Sequence, residues 1–399
     1  MAGVRTDASV VNVRTNAHML ALARRALHHQ QAGTTDQAAA VLELPVAMYT
    51  DPTRYRHEIQ RVFRELPMGV ALSLELPGPG SYRALNIMDV PVLIVRGGDG
   101  VVRAFLNVCR HRGAQVCADG SGTARVFSCP YHAWVYDQKG QLTGRYGADS
   151  FGEIDVDRYG LVPLACAEAH GVIWAMLTPH RTFDINRWLG GMGEQLDTLK
   201  LDTWHLYTQR DIPGPGWKVT MDGYLESYHH NLVHPKTVGQ YTVGNLLVLD
   251  TWGPHQRLTF GRKSLPELLE QPESAWEPDV HIRLIHSCFP NLSLSGILGD
   301  HCLVSQIFPG PTPETTITRQ TVLVARQPET DAEKAATEAF SALTLKAVEE
   351  EDYGIGFGIQ KAVHAGANEH FLIGRNEPAI QNYHRWVAYF ARANAGTEW

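Results

Sequence analysis

The chain has 399 residues, 44% hydrophobic and 19% charged, with 35 basic against 42 acidic side chains and a formal net charge of -7. Such a composition is globular, and the acidic balance argues against a nucleic-acid partner. No apolar run approaches the roughly 18 residues of a membrane span, the N-terminus lacks the apolar core of a secretory signal, and six cysteines without a regular framework suit a reducing cytoplasm.

Residues 1 to 66 read as mainly helical. The basic, amphipathic run "RTNAHMLALARRALHH" at 14 to 29 could mimic a transit peptide, but a plain N-terminal helix is the preferred reading. "DPTRYRHEIQRVFREL" opens with Asp51 as a cap and Pro52 at the first helical position, and Tyr55, Ile59 and Phe63 make one apolar stripe. From 67 to 165 short strands are expected: "GVALSLEL", "YRALNIMDV", "PVLIVRGG", "VVRAFLNV", "RVFSCP" and "AWVYDQKGQLTG", with hairpin turns at Gly98-Asp99-Gly100 and Lys139-Gly140. This is a small all-β unit. From 166 to 399 strands and helices mix. "GVIWAML" reads as a buried strand, and "CFPNLSLSGI", "HCLVSQIFPG" and "TTITRQTVLVAR" as an antiparallel meander. Helices are expected over 217 to 234 and over 331 to about 364, the latter opened by the capping-box pair Thr330 and Glu333.

Two constellations carry chemistry. The first is "NVCRHRGAQVCADGSGTARVFSCPYHAW", starting at Asn107, which holds Cys109, His111, Cys129 and His132. Zinc is the alternative ligand, but zinc fingers usually pair two Cys on one loop and two His on a helix. Here each loop carries one of each. Cys109 and Cys129 can serve one iron and His111 and His132 the other, the Rieske arrangement of a [2Fe-2S] cluster. Pro130 and Gly113 shape the loops, Trp134 shields the cluster, and Cys117 is read as a small buried hydrophobe.

The second lies in "GWKVTMDGYLESYHHNLVHPKTV" at 216 to 238, with Asp222, Glu226, His229, His230 and His234. Glu226 with His229, and His230 with His234, share helix faces. His229 and His234 are five apart, roughly 140° around a regular helix, so they converge only at a helix end or a distortion; Pro235 makes an end plausible. Spacing alone does not choose between His229 and His230. Two His and one carboxylate would form the facial triad of a mononuclear Fe(II) oxygenase. The carboxylate can come from the acidic run Glu349 to Asp352, whose last member meets a Gly-rich apolar stretch while the first two or three face solvent.

Together these stretches resemble the α subunits of the Rieske non-haem iron oxygenases, the ring-hydroxylating family. "NVCRHRG" and "CPYHAW" are similar to its cluster signature, "WKVTMDGYLESYHHNLVHP" to its iron motif, and "EEEDYGIGFGIQ" and "GRNEPAIQNYHRW" to its C-terminal segments, so the likeness spans about 44 to 390. The resemblance implies Cys109, His111, Cys129 and His132 as cluster ligands, His229, His234 and Asp352 as iron ligands, and Glu226 as the relay between the metals. It implies an α+β chain: a helical segment over 1 to 66, an all-β Rieske domain over 67 to 165, and a helix-grip catalytic domain with an antiparallel sheet over 166 to 399. It further implies a head-to-tail homotrimer. Electrons would come from NAD(P)H through a separate reductase, with or without a ferredoxin, and O2 would hydroxylate or dihydroxylate an aromatic or other apolar ring. The chain departs from many members in having Glu226 for Asp, as quaternary-amine demethylases do, and Asp222-Gly223 for Glu-Asn.

O2-dependent N- or O-demethylation, or monooxygenation of a methylated amine, is therefore the alternative. Tyr224, Tyr228, Tyr241 and Trp252 are candidates for an aromatic cage, although core packing is their default role. A pure electron carrier is the alternative of another class, and it would need no 217 to 234 motif. Leu232, Val233, Val243, Leu246, Leu292 and Leu294 are candidate pocket walls, again with packing as the default.

Overall fold

The computed structural model describes residues 16–296 and 299–392; Arg14 and Thr15 of the expected N-terminal helix and Ile297 of the expected meander lie outside them. The chain divides into two compact units. One comprises His57–Trp188, and the other joins the segments before and after it.

The first unit is antiparallel β structure. Strands Pro163–Leu164, Val102–Leu106, Val90–Arg96, Ser81–Ile87 and Gly120–Thr123 form a five-stranded sheet in that order. The Gly98-Asp99-Gly100 turn joins two of them: Gly97 N–H donates to Val101 O at 3.0 Å, and Gly100 takes the positive φ (79°) that the turn requires. Val126–Ser128, Val135–Asp137 and Leu142–Gly144 make a second sheet. Its Lys139-Gly140 turn packs so tightly that a Cβ at Gly140 would sit 2.5 Å from the Phe105 ring. The core between them holds Leu93, Val95, Phe105, Phe127, Trp134, Tyr136 and, notably, Cys109 and Cys129.

The expected domain limits differ from these units. Residues 166–188 are expected in the catalytic half, yet Cys166–Ala169 pairs with Val172–Ala175, which pairs with Met68–Leu72. A strand pairing across a hundred residues of chain moves the limit to Trp188. At the other end, the segment to Arg56 goes with the catalytic unit and His57–Leu66 does not. Among the described residues of the 1–66 stretch, Leu42–Pro45 is not helical as expected but a strand paired with His370–Ile373.

In the second unit the N-terminal helix runs Asn16–Ala32. Met19, Leu22, Ala23, Ala26 and Leu27 repeat at helical spacing and bury against Leu246, Val248, Leu265, Leu268, Ile282 and Leu284. Each fully buried leucine contributes about 1.5–3 kcal/mol. The sheet has seven antiparallel strands in the order His205–Gly214, Thr316–Val324, His301–Pro309, Leu292–Ser295, Ile282–Cys288, His255–Gly261 and Val248–Trp252.

Neither long helix is continuous. The first runs Trp217–Tyr224, breaks, and resumes as one turn at His230–Val233. The second begins with the capping box, Glu333 N–H donating to Thr330 Oγ1 at 3.2 Å and Thr330 N–H to Glu333 Oε2 at 2.9 Å. It is α-helical over Asp331–Leu345, widens to a π-helix over Lys346–Asp352, and returns to α-helix over Tyr353–Ala362. Arg210 fastens it to the sheet, bonding Gln320 at 2.7 Å and Ser341 O at 2.8 Å.

Candidate metal centres and cavity

In the first unit the two Cys/His loops have the same backbone pattern. Cys109 N–H donates to Ala114 O and Cys129 N–H to Trp134 O, each at 2.8 Å and each five residues on. Cys109 O accepts from Gly113 N–H and Cys129 O from Ala133 N–H, each at 2.9 Å and each four residues on. Both closing residues have positive φ, Gly113 at 79° and Ala133 at 50°. Each loop thereby buries its cysteine and carries its histidine outward, and the His111 and His132 rings meet at 4.8 Å between centroids. Trp134, 2% exposed, stacks on His111 at 5.0 Å and 7° between planes.

Around them Tyr136 OH accepts from Arg110 N–H at 2.9 Å and lies 3.4 Å from Cys109 Sγ. Asn107, fully buried, ties Cys117 at both backbone atoms, which gives Cys117 a structural place outside the Cys/His set. His132 Nδ1 is buried with no hydrogen-bond partner, and loss of solvation with the nearby Arg112 guanidinium lowers the pKa of this ring. A buried, unpartnered nitrogen on a neutral imidazole is a ready metal ligand. Two buried sulfurs and two adjacent imidazoles fit a binuclear iron–sulfur centre.

In the second unit the break after Tyr224 is made by Glu226. Its carboxylate accepts hydrogen bonds from Tyr228 N–H and, at 3.2 Å, His229 N–H, so it caps the next turn from inside the motif. That turn ends at His234, which has left helical geometry (φ -107°, ψ 43°) ahead of Pro235. The five-residue spacing is thereby overcome. His229 Nε2 lies 3.2 Å from His234 Nε2, and Asp352 Oδ1 lies 2.9 Å from His234 Nε2 and 3.5 Å from His229 Nε2. Ligand atoms of these three residues all lie within 4.8 Å of one another, the one such group among the described residues. His230 stands aside: its ring packs on Phe260, and burial with the charges of His229 and His234 pushes its pKa down to about 3.

The outer nitrogens are held as well. His229 Nδ1 is hydrogen-bonded to Glu226 and His234 Nδ1 to Glu351 Oε2 at 2.7 Å. Each carboxylate takes the Nδ1 side of its ring, so the Nε2 atoms of both rings face the common point. Burial opposes protonation of His229, but Asp352 and Glu226 override it and raise its pKa to about 10. Burial likewise favours neutral Asp352, yet hydrogen bonds to His229 and His234 lower its pKa. The site thus calls for positive charge between these groups. A divalent cation answers that call with the three donors present, two imidazoles and a carboxylate. Glu351 is a functional residue that the sequence does not announce, since it stands in an acidic run expected to face solvent.

A cavity of about 370 Å³ opens beside His229 and Asp352. Its wall is largely apolar, with Val219, Val233, Ile355, Ile359, Phe371 and Ile380, and it also carries Asp222, Glu226 and Glu377. Asp222 is anchored by Tyr49 OH at 2.6 Å and His384 Nε2 at 2.7 Å. Burial, reinforced by Glu226 and Asp222, raises the pKa of Glu377. Of the cage candidates Tyr224 lines this cavity. Tyr228 and Tyr241 are exposed, Tyr241 beside Arg262, and Trp252 lies against Arg257. Of the candidate pocket walls Val233 lines it. Leu232 is exposed, Leu292 and Leu294 are buried, and Leu246 and Val243 pack with the N-terminal helix cluster.

Comparison with known proteins agrees with both halves. Residues 67–151 match the family described as Rieske [2Fe-2S] domain, and residues 201–393 match the ring hydroxylating alpha subunit (catalytic domain). The chain is 31% identical to the glycine betaine monooxygenase oxygenase subunit of Chromohalobacter salexigens over 55% of this chain and 51% of that protein. It is 31% identical to the chlorobenzene dioxygenase subunit alpha of Cupriavidus sp. over 56% and 49%. The matched segments therefore span about half the length of these relatives. A quaternary ammonium Rieske monooxygenase solved with L-carnitine superposes with a TM-score of 0.76 at 23% identity, covering 90% of this chain and 97% of that one. Among the described residues no helix is long and apolar enough to cross a membrane. With a Rieske domain followed by a ring-hydroxylating catalytic domain, the chain belongs to the Rieske non-haem iron oxygenase α subunits.

Proposed function

We propose that this chain is the terminal oxygenase component of a multicomponent cytoplasmic system. The observation that carries the reading is the convergence of His229, His234 and Asp352 beside a largely apolar cavity. Cys109, Cys129, His111 and His132 hold the cluster, and His229, His234 and Asp352 hold the ferrous ion. When bound, these centres supply single electrons and activated O2. Glu226 fixes the tautomer of His229 and, in a head-to-tail homotrimer, faces the cluster of the adjacent copy. A separate reductase using NAD(P)H, alone or through a ferredoxin, feeds the cluster. Tyr49 and His384 hold Asp222 at the cavity wall, and the isoleucines and Phe371 give that wall its apolar face.

Two substrate classes follow from the cavity. Its apolar lining suits an aromatic or other apolar ring, as in the catabolism of aromatic compounds. Its three carboxylates favour the second reading, oxidative N-demethylation of a methylated ammonium compound. A neutral ring gains nothing from Asp222, Glu226 and Glu377, whereas a cation does. There one oxygen atom enters a methyl C–H bond and formaldehyde is released. The other oxygen atom leaves as water after two electrons and two protons are taken up.

Iron analysis tests the oxygenase reading: about three iron atoms per chain support it, about two indicate a carrier, and one zinc without visible absorption overturns both. Oxygen uptake with a surrogate reductase then separates the substrate classes. Uptake on methylated amines with formaldehyde release favours demethylation, and uptake on aromatic rings without formaldehyde favours ring hydroxylation.

A further inference from the structure

The widened turn at Lys346–Asp352 brings two successive acids to one imidazole. Asp352 Oδ1 lies 2.9 Å from His234 Nε2, and Glu351 Oε2 lies 2.7 Å from His234 Nδ1. On a regular helix adjacent side chains diverge by roughly 100°. A π-helical turn alters that fan, and such turns recur at functional sites. Thr237, fully buried, adds a hydroxyl that donates to the same Glu351 oxygen. Glu349 and Glu350, by contrast, are exposed.

We propose that Glu351, braced by Thr237, is the positioning residue that aims His234 at the metal, a duty separate from that of Glu226 at His229. The proposal rests on reading His229, His234 and Asp352 as one metal site. A neutral imidazole carries a single N–H. With an acceptor fixed at Nδ1, the proton stays there and the Nε2 lone pair points at the common site. Without it, the ring is free to take the other tautomer and to turn about its terminal torsion. The two carboxylates also divide the work. Glu226 lines the cavity and Glu351 is not among its lining residues, so a change at Glu351 acts on metal affinity without altering the cavity wall.

The test uses the full chain with its cluster intact, stripped of mononuclear metal by a chelator and titrated with Co2+. Binding is read by calorimetry and by EPR of high-spin cobalt. Wild type is expected to take one Co2+ per chain. Glu351→Ala is expected to weaken binding 10- to 100-fold, the usual effect of losing such a partner. Glu351→Gln, whose amide oxygen still accepts from Nδ1–H, should recover part of that loss, Thr237→Val should weaken binding less, and Glu350→Ala should leave it unchanged. Wild-type affinity in Glu351→Ala overturns the proposal, as does Glu351→Gln binding no better than Glu351→Ala. If Glu351→Ala does not fold, the decision passes to Glu351→Gln and Thr237→Val, where wild-type affinity in both overturns it. Failure of wild type to bind Co2+ sinks the metal-site reading itself, so the two failures are distinguishable.

Discussion

Gly239 offers the sharpest test of how the turn that carries His234 is held. It sits in the short turn Val238–Gln240, buried, with its N–H donating to His234 O at 3.0 Å. A Cβ there would stand 2.4 Å from His230 O and 2.6 Å from His234 O. Carbon–oxygen contacts ordinarily stay at about 3.3 Å or more, so the shortfall is roughly 0.7–0.9 Å. Both obstacles are backbone carbonyls of the segment that carries His234, and no flexible side chain stands there to move aside. Overpacking of this kind costs about 1–3 kcal/mol. The displacement also exceeds the roughly 0.5 Å within which a constellation keeps its function. Gly239→Ala should therefore unfold a few degrees lower and lose mononuclear iron. Iron should fall from about three toward about two per chain while the cluster spectrum persists. Gly239→Ala with an unchanged melting temperature and full iron would refute the claim that close backbone approach at Gly239 sets the geometry of His234.

Other expectations follow from the same reasoning. Glu226→Gln should leave both metals bound yet slow oxidation of the reduced cluster, and an unchanged rate in stopped-flow measurements would count against the relay. Asp250→Asn should cost about 2–4 kcal/mol in chemical denaturation, because Arg257, 2% exposed, then loses its carboxylate partner at 2.7 Å. Burial opposes ionisation of Asp250, but Arg257 and Arg25 override it and lower its pKa. Its contribution is therefore full above the unfolded value of about 3.9 and is lost as pH falls through the lower folded value. Asp250→Asn should accordingly flatten the acid limb of the stability profile. Gly358→Ala, on the exposed face of helix Tyr353–Ala362 with open space around its Cα, should stabilise by about 0.5–1 kcal/mol in the same assay.

What could be read from the sequence was what the chain encodes locally. The stripe Met19, Leu22, Ala23, Ala26 and Leu27 announces its helix, and Thr330 with Glu333 announces a start, because each pattern lies within a few residues. The mixed Cys/His loops were legible for the same reason. Even so, only one closing residue had a signal: Gly113 invites a positive φ, whereas Ala133 adopts one without glycine.

The rest depended on side chains acting on the backbone at a distance. Whether His229 or His230 pairs with His234 turns on a helix break that the Glu226 carboxylate makes by capping Tyr228 and His229. Which acid of Glu349 to Asp352 points inward turns on a π-helical turn that periodicity does not encode. Four strands of the seven-stranded sheet, His205–Gly214, Val248–Trp252, His255–Gly261 and Ile282–Cys288, are not announced by the sequence, and two of them hide for opposite reasons. His205–Gly214 is an edge strand, half exposed and polar. His255–Gly261 is buried at every position although it begins His-Gln-Arg. A buried strand can carry those residues only when each finds a partner: Arg257 has Asp250 and Gln195, and Gln256 has Ala379 O and Asn382. Hydrophobic patterning cannot announce such a strand, because its burial is made possible by groups that lie far off in the sequence, Gln195 and Asn382 among them.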